Sequence, residues 1–134
     1  MTVDLSHDTL ERYRLHAELC KVLTDPKRLR LLDTLRGGER SVGDLAVTIG
    51  VTLPNASQHL AVLRSAGLVD GRRTGTTVNY RLAEPMITTA CDIIHAIVTR
   101  RLAQEGRPVA DPVIQPLEVH APSGAGVSRP GIAR

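Results

Sequence analysis

The chain has 134 residues, a formal charge of +3 from 17 Lys and Arg against 14 Asp and Glu, no Phe or Trp, and two Cys. That length fits one ordinary domain, whose core must be aliphatic, and the small charge excess identifies no partner until the arginines are placed. Two cysteines exclude a disulfide-stapled scaffold, no apolar run is long enough to span a bilayer, and the acidic start MTVDLSHD is not a basic-then-apolar leader, so a cytoplasmic protein without a membrane partner is expected.

Residues 1–7 read as an N-terminal arm. HDTLERYRLHAELCKVLT then places Leu10, Tyr13, Ala17, Cys20 and Leu23 at three-and-four spacing, which predicts a helix. Leu15, Leu19 and Val22 widen its apolar arc, so it needs covering on more than one side, and a partner chain is one such cover. Asp25 is placed to cap a second helix with Pro26 in its first position, burying Leu29, Leu32 and Leu35 and ending at Gly37-Gly38.

Ser41 caps a third helix, with Asp44 in the capping-box position and Leu45, Ala46 and Ile49 on its apolar face. Gly50 ends it, and Thr52 caps a fourth helix that runs to Ala66. In that helix Leu53, Ala56, Leu60 and Leu63 are expected to face the core. LVDGRRTGTTVNYRL predicts a β-hairpin with Arg72 and Arg73 at its tip and Thr76 in its turn. PMITTACDIIHAIVTRRLAQE predicts a long last helix whose apolar arc covers near half its circumference. The body therefore spans 8–105. The stretch from Gly106 holds five of the eight prolines and no period, and 106–134 is read as a disordered tail.

The third and fourth helices, joined by a short Gly-containing turn, form a helix-turn-helix pattern. The fourth presents Pro54, Asn55, Ser57, Gln58 and His59 near its N-terminus. Asn and Gln suit adenine edges in the major groove, Ser suits base edges or phosphate, and a helix N-terminus favours phosphate. The hairpin then acts as a wing, with Arg64, Arg72, Arg73 and Thr76 as candidate DNA contacts and Arg81 on the return strand. A pair of turn arginines usually just faces water, and its position after the helix-turn-helix is what singles it out.

LCKVLTDPKRLRLLDTLRGGERSVGDLAVTIGVTLPNASQHLAVLRSAGLVDGRRTGTTVNYRL resembles the winged-helix ArsR/SmtB transcriptional repressors, most specifically in DPKRLRLL, SVGDLA, SQHLAVLRSAGLV and GTTVNYRL. The resemblance covers about residues 15 to 103. It implies a mainly α fold of five helices with a β-hairpin wing, a homodimer through the first and last helices, a palindromic double-stranded DNA operator, and release by an inducer. The family's thiolate metal site would need cysteines where this chain has Ser41-Val42-Gly43-Asp44. Its last-helix site would need His two residues after Asp92, where Ile94 stands. Both are absent.

What remains is His16 and Cys20 on the first helix and Cys91 and His95 on the last, each pair four residues apart and so on one face. Three readings are open. The cysteines are small packing residues beside solvated imidazoles; or Cys20 and Cys91 form a thiol switch for oxidant or reactive sulfur; or the four residues bind a soft metal ion such as zinc. Two further classes are weighed for the whole chain. A protein-interaction module without DNA binding is disfavoured by the polar helix face and the wing arginines. An enzyme is disfavoured because the sequence offers no paired carboxylates, phosphate loop or nucleophile with a base.

Overall fold

The computed structural model describes residues 7–108. Those residues form five α-helices and three short strands: α1 (His7–Val22), α2 (Pro26–Thr34) followed by a single 3-10 turn at Leu35–Gly37, β1 (Arg40–Ser41), α3 (Val42–Ile49), α4 (Leu53–Ser65), β2 (Val69–Thr74), β3 (Thr77–Leu82) and α5 (Met86–Gln104). The chain divides after Thr88 into two compact units. The first six residues of the expected arm, and the expected tail from residue 109 on, lie outside the described residues. His7, assigned to the arm, already belongs to α1.

In the first unit the helix starts are fixed by side chains that replace missing backbone partners. Asp25 Oδ1 accepts from the N–H groups of Lys27 at 2.7 Å and Arg28 at 3.4 Å, and Pro26 opens α2. Ser41 Oγ accepts from Asp44 N–H at 3.1 Å, and Thr52 Oγ1 from Asn55 N–H at 3.2 Å. These are the three caps expected from the sequence.

The sheet has one strand more than expected. The order is β1-β3-β2, all antiparallel, with Arg40 opposite Tyr80, Ser41 opposite Asn79, and β2 paired to β3 from Val69–Leu82 to Thr74–Thr77. A two-residue strand carries no alternation to read, so the loop before α3 could not be assigned to the sheet from its own residues.

The core of this unit is aliphatic. Leu31, Leu32, Leu35, Leu45, Leu60, Leu63 and Val69 are fully buried, each worth about 1.5–3 kcal/mol relative to exposure. Two expectations need correction. Leu31, left off the predicted core face, is fully buried, while Leu29 is only half-buried, because α2 packs against both α3 and α4 and is covered over a wider arc than one face. Leu53 is 51% exposed, since it stands at the first position of α4, at the edge of the core that Ala56, Leu60 and Leu63 enter. On α1, Leu10, Tyr13 and Leu15 are exposed.

In the second unit α5 carries Cys91, which is buried, and Ile93, Ile94, Ile97 and Val98, which are exposed. No described helix is long and apolar enough to cross a membrane.

Candidate nucleic-acid interface

The turn between α3 and α4 depends on Gly50. It sits at φ 72° and ψ 42°, a left-handed conformation that costs glycine nothing, and Val51 N–H donates back to the Ala46 carbonyl at 3.0 Å. Ala46 is buried beside this turn, small enough for α3 and α4 to pack closely. The tight turn sets α4 with Ala56, Leu60 and Leu63 inward and the polar face of its first two turns outward.

On those turns Pro54, Ser57 and Gln58 are exposed. Asn55 is half-buried, and its Oδ1 is a buried acceptor with no hydrogen-bond partner among the described residues. An amide in that position keeps its NH₂ group as the end available for hydrogen bonding outward.

His59 is placed differently from its neighbours. It turns toward α2, where Arg28 Nη1 donates to His59 Nδ1 at 3.3 Å, and the same guanidinium donates through Nε to the Val22 carbonyl at 2.7 Å. Arg28 thus ties the end of α1, α2 and the middle of α4 together. Sequence reasoning grouped His59 with the outward residues and missed Arg28; the contact joins residues 31 apart and leaves no local pattern.

The wing arginines are also displaced from expectation. The hairpin turns at Gly75 and Thr76, with φ of 64° at Gly75, the sign pattern of a two-residue II′ turn. Arg72 faces Asn79 and Arg73 faces Val78, so both lie within β2 and not at the tip, where Thr76 stands exposed. The alternation of β2 sends them to opposite faces. Arg73 shares the side of buried Val69, whereas Arg72 is on the outer side, held by Glu39 at 2.9 and 3.0 Å. Arg81 approaches Asp70 at 3.8 Å. Arg64, exposed in the last turn of α4, reaches over the wing. Its Nη1 lies 3.5 Å from where a Cβ on residue 71 would be, and that Cβ would stand 3.0 Å from Tyr80 Cε1, so the absence of a side chain at Gly71 lets the arginine and the ring approach.

His16 and Cys20 are exposed on α1; Cys91 is buried and His95 half-buried on α5. Among the described residues no three His, Cys, Asp or Glu side chains are gathered as a metal ion would require. Either helix alone supplies two donors, half of the four that structural zinc takes.

A helix-turn-helix with its polar helix N-terminus outward, followed by an arginine-bearing hairpin, defines a winged-helix DNA-binding protein. Known proteins place it further. The family model described as bacterial regulatory protein, arsR family, matches residues 25–70, from the cap of α2 into β2. The uncharacterized HTH-type transcriptional regulator Rv0081 of Mycobacterium tuberculosis is 39% identical over 92 residues, spanning 68% of this chain and 81% of that protein. Its crystal structure superposes with a TM-score of 0.63 at 38% identity, covering 70% of this chain and 95% of that one. The biofilm growth-associated repressor of Xylella fastidiosa is 44% identical over 89 residues, 66% of this chain and 75% of that protein. The homodimeric winged helix-turn-helix DNA-binding domain of Mb0332 from Mycobacterium bovis gives a TM-score of 0.66 at 32% identity, covering 76% and 94%. The chain belongs to the ArsR family of bacterial regulatory proteins. It is a DNA-binding transcriptional regulator and not an enzyme.

Proposed function

We propose that the chain is a homodimeric repressor that reads a palindromic operator with α4 and holds its backbone with the wing. The observation that carries the reading of the operator is the outward pair Ser57 and Gln58, with Asn55 beside them, on the two turns of α4 that follow the Gly50 turn. Exposed apolar residues on α1 and α5 support the dimer, since monomeric proteins rarely leave so many large aliphatic side chains in water. In a two-fold dimer the two recognition helices would address half-sites about 34–36 Å apart.

Anisotropy titration with the DNA upstream of the protein's own gene tests this. Gln58→Ala should narrow the gap between operator and unrelated duplex by about 1–3 kcal/mol while leaving binding to the unrelated duplex unchanged. Equal operator preference in variant and parent would remove Gln58 from base reading. A chain that binds no duplex would instead support the reading of a protein-interaction module.

For the inducer, the favoured reading is a thiol switch. Cys20 supports it: it is an exposed thiol on a helix whose apolar side is also exposed. Joining it to Cys91 as a disulfide would pass two electrons to a peroxide or polysulfide and release two protons. Tying α1 to α5 would then shift the spacing of the recognition helices. Oxidant should lower operator affinity in the parent and not in Cys20→Ser or Cys91→Ser, with the link seen by non-reducing electrophoresis. If both variants respond as the parent does, the cysteines are packing residues. Thiolate charge-transfer absorbance on metal titration would point instead to the soft-metal reading with His16 and His95.

A further inference from the structure

The outer face of the wing sheet carries two cross-strand ion pairs. The register places Asp70 opposite Arg81 and Arg72 opposite Asn79, on the face away from buried Val69 and Tyr80. Glu39 stands immediately before β1, whose partner is β3, so it reaches Arg72 across the central strand from 33 residues away in sequence. Both carboxylate oxygens accept from Arg72 Nη2, at 3.0 and 2.9 Å. The neighbouring Arg81–Asp70 pair is looser, at 3.8 Å, and more exposed.

We infer that Glu39 acts as a built-in substitute for a DNA phosphate: it occupies Arg72 and thereby sets how tightly the wing holds any duplex. This rests on the DNA-binding reading and goes beyond it. A carboxylate and a phosphate oxygen offer a guanidinium the same kind of charged acceptor, so DNA must displace Glu39 before Arg72 can contribute. Phosphate contacts carry no sequence information, and restraining one lowers the affinity for every duplex. Arg73, on the opposite face of β2, escapes this competition. The two arginines adjacent in sequence therefore have different roles: Arg73 is the ready contact and Arg72 the restrained one. The Arg72 side chain is 68% exposed and that of Glu39 32%, so the pair is accessible enough to exchange partners.

The test is equilibrium binding of the full chain to its upstream duplex and to an unrelated duplex across a salt series. An exposed pair of this kind yields a modest effect, so Glu39→Gln should bind both duplexes about two- to five-fold more tightly than the parent. Its salt slope should steepen by up to about 0.9, one more phosphate neutralised. In an Arg72→Gln background the same change at residue 39 should do nothing. Asp70→Asn removes an equal charge from the same face and should give a smaller gain. The role of Glu39 is overturned if Glu39→Gln binds no more tightly, if its gain persists without Arg72, or if Asp70→Asn matches it. Glu39→Gln keeps the shape of the side chain at the surface, and a melting temperature equal to the parent's confirms that folding is not being measured. A parent that binds neither duplex overturns the DNA-binding reading itself, whereas a parent that binds beside an inert Glu39→Gln overturns only this inference.

Discussion

Asp25 shows how much a single side chain carries in this chain. Its carboxylate caps α2, and it lies beside Arg28, the residue that ties α1 and α4 together. Desolvation pushes its carboxyl up. The N–H groups of Lys27 and Arg28, with the charge of the Arg28 guanidinium, outweigh that and hold it below the ordinary carboxylate value. A lowered folded value means the ionised cap contributes stability above the unfolded value of about 4, and loses it as the pH falls through the lower folded value. Asp25→Ala should therefore cost about 0.5–2 kcal/mol at neutral pH in denaturant unfolding. The gap to the parent should close as the pH is taken below about 4, the ordinary carboxyl value. A gap that stays constant to low pH would show that the charge on Asp25 is not what caps the helix.

At the scale of elements, the wing is a hairpin whose register decides which arginine does what. Arg72 and Arg73 are neighbours, but the two-residue period of β2 separates them, and only Arg72 meets Glu39. Arg73→Ala should weaken binding to operator and unrelated DNA alike and reduce the salt slope by about 0.9, as expected for one lost phosphate contact. Arg72→Ala should change both by less, because its contact is already offset by Glu39. Anisotropy titrations at several salt concentrations read both quantities. A larger loss at Arg72 than at Arg73 would reverse the assignment. The helix-turn-helix is set by equally local means, with Gly50 allowing the left-handed turn and Thr52 restarting the chain as α4.

At the scale of the whole molecule, α1 and α5 present more apolar surface than a single chain covers. Ile97 is 41% exposed on α5, with Ile93, Ile94 and Val98 beside it in sequence and also exposed. Ile97→Glu would bury a carboxylate without a partner if that face closes against a second copy, a substitution that interfaces tolerate poorly. Light scattering should then show a shift from dimer to monomer at micromolar concentration. Operator affinity should fall with it, since one half-site contact is lost. An unchanged mass would place the dimer contact elsewhere.

The amino-acid sequence by itself determined the helices, their caps and the helix-turn-helix, because these rest on contacts within a few residues. Asp25, Ser41 and Thr52 each bond an N–H two or three positions on, and Gly50 needs only its own backbone freedom. The family was legible for the same reason: its most specific motifs are runs of adjacent residues. Tertiary structure alone decided the rest. It added β1 to the sheet, moved Leu31 into the core and Leu53 out of it, turned His59 inward to Arg28, and put Glu39 on Arg72. Each of these joins groups distant in sequence or depends on how many sides of a helix are covered. Such contacts follow from packing and strand register, which no local periodicity encodes.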